Sequence, residues 1–161
     1  PQPIITQALL LAADIPVFAG VGGGLTKGQR VVNLAMFAEM QGATGVVVNA
    51  PTANTVVQHV AETIDIPVVV TVARADTDFE ARLQAGANIF NVSAAAETPA
   101  IVRSIRERYP DVPIIATGGP TDESILETIQ AGANAITWTP PTNGEIFRDI
   151  MAAYRDNKPH P

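Results

Sequence analysis

Two short phrases recur in alternation along this chain. The first is Asp14-Ile15-Pro16, Asp65-Ile66-Pro67 and Asp111-Val112-Pro113, each opening a run of β-branched or small apolar residues: Val17–Val21, Val68–Val72 and Ile114–Thr117. The second is Gln41-Gly42-Ala43, Gln84-Ala85-Gly86-Ala87 and Gln130-Ala131-Gly132-Ala133, leading into Val46–Asn49, Ile89–Ser93 and Ala135–Thr139. A glycine at the end of a helix supplies a left-handed residue at little steric cost, and proline is tolerated at the start of a strand. Both phrases therefore read as structural punctuation, and an internal repeat of this kind constrains architecture more than any single motif.

Between the runs, apolar residues follow helical spacing. Val31, Leu34, Ala35 and Ala38 form one stripe; Ile101 and Ile105 form another, with Arg103, Arg106, Glu107 and Arg108 expected on the outside. The order is thus strand then helix, six times, after a helical stretch at Ile4–Ala13. Continuous Val/Ile strands separated by helices imply parallel pairing with the sheet covered, as a barrel or as an open doubly wound sheet. The two-unit period favours the barrel, whose interior is filled in layers by alternate strands. The expectation is one domain over residues 1–161, an α/β TIM-type barrel of six βα units preceded by one helix.

The composition of 161 residues narrows the chemistry. Hydrophobic residues make up 47% and charged residues 16%, enough for a real core. Sixteen acids against ten Lys and Arg give a net charge of −6 without basic clustering, so no nucleic-acid partner is expected. No apolar run approaches a membrane span and no leader pattern opens the chain, so a cytoplasmic protein without membrane contact is expected. There is no Cys, and the two His lie far apart at positions 59 and 160, which argues against a metal site. No cofactor is expected: Gly22-Gly23-Gly24 has no following Gly-Lys-Ser/Thr, and Leu25 stands where a dinucleotide fingerprint needs glycine.

The stretch Pro113-Ile114-Ile115-Ala116-Thr117-Gly118-Gly119-Pro120, with Ile125–Gly132 and Ala135–Thr139, resembles the last two units of phosphate-binding barrels such as the keto-deoxy-phosphogluconate aldolases. Pro16–Gly24 with Val46-Val47-Val48-Asn49-Ala50-Pro51 resembles part of the dihydrodipicolinate synthase and lyase group. Both groups are class I aldolase-like barrels. The resemblance implies that Thr117 ends the seventh strand of such a barrel, so that Val17–Val21 is the third and the first two are lacking. It also implies a phosphate near Gly118-Gly119. Two departures stand out. The strand that should carry a Schiff-base lysine reads Ile89-Phe90-Asn91-Val92-Ser93, and Lys27 and Lys158 are the only lysines in the chain. The last strand runs into Thr139-Pro140-Pro141, where prolines offer no N–H to a phosphate.

Barrel enzymes bind substrate at the C-terminal ends of their strands. By strand alignment the polar groups there are Asn49, Asn91, Ser93, Thr117 and Thr139, readable as ligand-binding groups or as polar filler. Gly22, Gly23 and Gly24 before Lys27 and Arg30, and Gly118-Gly119 before the next helix, could expose backbone N–H groups to an anion or merely form tight turns. Arg74 could clamp an anion bidentately, and Asp76 could act as a base, with helix capping the bland role for Asp76 and Asp78. His59 reads as a surface residue and Trp138 as a core residue turned against a helix. Lys27 and Asp76 are the candidate proton-transfer groups. The leading expectation is a lyase- or aldolase-like enzyme acting on a small anionic metabolite, a 2-oxo acid or sugar-phosphate-type compound. A non-catalytic assembly barrel and a small-metabolite hydrolase are the alternatives. Six strands either close on themselves or leave two exposed edges, and exposed parallel edges favour a homo-oligomer.

Overall fold

The computed structural model describes residues 2–22, 24–138 and 142–158. Helix α1 (Pro3–Ala12) precedes β1 (Phe18–Gly22), α2 (Gln29–Met40), β2 (Gly45–Val48), α3 (Asn54–Thr63), β3 (Val68–Val72) and α4 (Phe79–Gln84). Then come β4 (Ile89–Val92), α5 (Thr98–Arg108), β5 (Ile114–Thr117), α6 (Asp122–Gln130), β6 (Ala135–Thr137) and α7 (Asn143–Arg155). Each expected strand is present within two residues of its expected ends. Gly42, Gly86 and Gly132 adopt φ of 92°, 99° and 111° just after α2, α4 and α6, the left-handed turn their repeat predicts.

All six strands are parallel, and their spatial order is β1-β2-β3-β4-β5-β6. This order decides between the two architectures left open by the sequence. A doubly wound sheet reverses direction at a switch point, whereas an unbroken sequential order with right-handed crossovers sends every helix to the same face. The sheet is accordingly one-sided and curls into an incomplete barrel. Among the described residues, β1 pairs only with β2 and β6 only with β5, so the curl does not close.

Alternation along the strands separates two faces. Val21, Val46, Val48, Val70, Val72, Phe90, Val92 and Ile114 are buried in one core cluster with the helix residues Val31, Ala35, Val57, Val60, Ile101 and Ile105. Their neighbours Gly20, Val47, Thr71, Ile89, Asn91, Ile115 and Thr117 line the concave face and are half-buried or exposed. The flanks are thinly covered. α1 buries none of its residues, and Phe147, Met151 and Tyr154 of α7 are exposed. Trp138 is 65% exposed, contrary to the core position expected from alternation: it lies just past β6, an edge strand that pairs only with β5 among the described residues. Arg106 also departs from expectation. It is half-buried, with its guanidinium bonded to the carbonyls of Gly132, Pro110 and Val112 and to Asn134.

Two asparagines just past the repeated phrase set the sheet register. Val68 donates its N–H to Asn88 Oδ1 at 2.8 Å while Asn88 N–H donates to the Val68 carbonyl at 2.9 Å. Ile114 and Asn134 repeat the pair at 2.8 Å in both directions. The side chain completes the ladder where the partner strand has not yet begun. Asn88→Ala or Asn134→Ala removes a partner from a strand-opening N–H and is expected to cost about 1–3 kcal/mol, read as a lower midpoint in urea unfolding with an unchanged slope.

Candidate active site at the strand C-termini

The cross-strand register layers the concave face. Val47, Val69 and Ile89 are register partners near the strand starts; Thr71, Asn91 and Ile115 lie further along; Thr117 pairs with Thr137 at the strand ends. Polarity therefore rises toward the C-terminal mouth. Asn91 Nδ2 donates to Thr71 Oγ1 at 3.3 Å, and Thr137 Oγ1 donates to Thr117 Oγ1 at 3.3 Å. Asn91 Oδ1 is buried and has no partner. Turning the amide over does not help: Thr71 can then donate to Oδ1, but Nδ2 is left with nothing to donate to. One buried polar group of Asn91 thus stays without a partner in either orientation.

Asn49 and Ser93 stand exposed just beyond β2 and β4, tied by their backbone N–H groups to the carbonyls of Gly22 and Val72 at 2.9 and 2.8 Å. Thr139 and Gly23 lie outside the described residues. Gly22 serves packing: a Cβ there would lie 2.5 Å from a Val31 methyl, so glycine lets α2 close onto β1. Gly118 is likewise enclosed by Ile125 and Ile136, with a Cβ contact of 2.7 Å to Ile125. Gly119 adopts φ 83° and leads into the capping box of Thr121 and Ser124. The first turn of α6 then carries Asp122 and Glu123, whose charges already answer the positive end of that helix.

Arg74 and Asp76 meet each other rather than the concave row. Arg74 Nε and Nη2 donate to the two Asp76 carboxylate oxygens at 2.9 and 2.8 Å, with both side chains largely exposed. The hydrogen bonds from Arg74 hold Asp76 below the usual carboxylate range, so it is ionised at neutral pH and a weakened proton acceptor. Asp78 caps α4 by accepting from Ala81 N–H at 3.0 Å. Lys27 is exposed in the loop before α2, and His59 is exposed on α3.

Sequence reasoning missed Arg82. From α4 it reaches the β2–α3 loop, where Nη2 donates to the Ala50 carbonyl at 2.7 Å and Nη1 to the Thr52 carbonyl and to Asn54 Oδ1. Burial lowers its pKa without threatening its charge. The repeat held a signal: Arg82 occupies the place that Thr128 fills in the next copy, and Thr128 only bonds back to Ser124 in its own helix. Among the described residues, no three His, Asp or Glu cluster so as to hold a metal ion, and no helix is long and apolar enough to cross a membrane.

No protein-family model matches the chain, and no curated protein matches it. Solved structures share the fold. A phosphonopyruvate hydrolase in complex with oxalate and magnesium aligns with TM-score 0.71 at 14% identity, over 97% of this chain and 66% of its own. QR15, an aldolase, aligns with TM-score 0.71 at 20% identity, over 83% and 73%. An N-acetylneuraminate lyase from Mycoplasma synoviae aligns with TM-score 0.69 at 16% identity, over 96% and 56%. The chain thus spans between about half and three quarters of the structures it resembles.

Two measurements test this geometry. An NMR titration should place the Asp76 midpoint below that of a free aspartate, and Arg74→Ala should move it upward; the small stabilisation from the pair is present at neutral pH and lost as pH falls through that lowered midpoint. Arg82→Met should unfasten the β2–α3 loop, with faster amide exchange at residues 50–54 and a lower Tm, corresponding to about 2 kcal/mol for bonds made by a charged donor.

Proposed function

We propose that the chain binds a small 2-oxo acid at the mouth of its open barrel and acts on it as a lyase-type enzyme that forms no Schiff base. The observation that carries this reading is the neutral polar row of Thr71, Asn91, Thr117 and Thr137, set at the C-terminal ends of strands whose concave face is otherwise apolar. A buried amide with one open hydrogen-bonding group costs about 1–3 kcal/mol unless a ligand or water answers it. With Thr71 donating to Oδ1, Asn91 Nδ2 is free to donate to a carbonyl or carboxylate oxygen. Asn49 and Ser93 would add donors at the rim. Lys27 and Asp76 are the charged groups offered for proton transfer, and an anionic substrate that draws Arg74 away from Asp76 would restore the carboxylate's basicity. The fold supports the same direction, since the hydrolase seen with oxalate and the N-acetylneuraminate lyase are built on the same barrel.

A second reading, a non-catalytic barrel that assembles with copies of itself, is favoured by a concave face without acid or base among the described residues and by the exposed Ile4, Leu9, Leu11, Phe147 and Tyr154 on the flanks.

Thermal unfolding with pyruvate, longer 2-oxo acids and oxalate separates the two. A ligand at a hundredfold excess over its Kd should add about 2.7 kcal/mol, several degrees for a chain of this size. Asn91→Leu should abolish the shift, and proton NMR of the shifting compound should show turnover. No shift with any member of the panel, together with a dimer or larger species by light scattering, would replace the enzyme by the assembly reading.

A further inference from the structure

On the helix side of the mouth, away from the concave row, a cleft of about 370 Å³ opens between the β1–α2 loop and the start of α3. Lys27, Gly28 and Val31 form one wall, and Thr52, Ala53 and Val56 the other. Both walls are helix beginnings. Gly28 is the N-cap of α2 and Ala53 the N-cap of α3, and neither helix has a side-chain cap or an acidic residue in its first turn. The leading N–H groups of an α-helix have no carbonyl within the helix to receive them, so those of Gln29, Arg30, Asn54 and Thr55 depend on something outside.

Thr52 points independently to a ligand. It is only 7% exposed, and its hydroxyl has no hydrogen-bond partner. Its carbonyl is already occupied by Arg82, whose guanidinium stands behind this wall and adds positive charge. Although the chain carries a net charge of −6, none of the residues lining the cleft is an acid, and Lys27 has no carboxylate partner among the described residues.

We infer that this cleft is an anion site for a phosphoryl group, as in a small phosphate monoester or phosphonate, held between the N-termini of α2 and α3 with Lys27 and the Thr52 hydroxyl as side-chain donors. Two helix ends contribute roughly half a charge each and Lys27 a full one, so the site matches a dianion better than a singly charged carboxylate. Donors arriving from two helices and two side chains suit a tetrahedral group with three outer oxygens, while Val31, Val56 and Pro51 offer apolar surface to the remainder of the ligand. Lys27, offered for proton transfer in the 2-oxo-acid reading, is the one residue the two readings share; the Thr71, Asn91, Thr117 and Thr137 row contributes nothing to this cleft.

The test is calorimetric titration with inorganic phosphate and with methylphosphonate, followed by phosphorus NMR. Wild-type protein should bind both, and Lys27→Ala should weaken binding about tenfold or more. Ala53→Asp places a carboxylate at the N-cap of α3, where it caps the helix and repels the ligand; it should hold or raise Tm and abolish binding. Thr52→Val keeps the side-chain shape and should weaken binding without loss of fold. Asn91→Leu should leave phosphate binding unchanged, which keeps this site's failure distinct from that of the concave row. Absence of binding to wild type at millimolar phosphate, or wild-type affinity retained in folded Ala53→Asp or Lys27→Ala, would overturn the inference.

Discussion

A parallel strand can follow its predecessor only by way of a connection that returns over the sheet, and the right-handed preference of that connection fixes the side on which it returns. When six strands keep strict sequence order, the same side is chosen every time. The helix-facing residues Val21, Val46, Val48, Val70, Val72, Phe90 and Val92 then form a continuous core. The opposite face receives no helix. In a closed barrel it would be filled by side chains from strands across the axis. Here β1 and β6 do not pair among the described residues, and residues such as Ile89, Asn91 and Ile115 are only partly covered. The asymmetry between a dry convex face and a concave face reached from one side underlies the proposed ligand row, the edges and the exposed flanks alike.

The strands and helices were readable because this topology buries strands on a scale that local sequence records. Val68–Val72 and Ile114–Thr117 are apolar for most of their length, and the glycines of the repeat must be glycine because their φ is positive. The number of βα units left open whether six strands would close on themselves, and the pairing answers it: among the described residues β1 and β6 each have one neighbour. What escaped the reading depends on contacts between distant segments. Nothing local says that Arg82 bonds to carbonyls 30 and 32 residues away, or that Asn88 bonds to Val68. Arg74 and Asp76 were recognised as charged groups at the mouth, but charges two residues apart on one loop can satisfy each other, and in the folded loop they do. Trp138 misled for another reason. Alternation gives the direction of a side chain, while burial needs a neighbour, and an edge strand lacks one.

The distribution of helix caps bears on where an anion can settle. The helices that follow strands differ sharply at their N-termini. α4 is capped by Asp78 with Glu80 in its first turn, α6 carries Asp122 and Glu123 behind the Thr121 cap, α7 has Glu145 in a capping box, and Glu97 stands at the start of α5. Each of these carboxylates already meets the positive helix end that a bound anion would need, and would add repulsion of its own. Among the described helices that follow strands, only α2 and α3 begin without an acid or a side-chain cap, and these two begin on opposite walls of one cleft. The glycine pair Gly118-Gly119, where the resemblance to phosphate-binding barrels implied an anion, belongs to the acid-capped group. Its glycines are accounted for by close packing against Ile125, Ile136 and Ser124. The proposed anion site therefore lies on the β1–β2 side of the mouth, where Lys27 and Arg82 also lie, rather than beside the glycine pair that most resembles a phosphate loop in sequence.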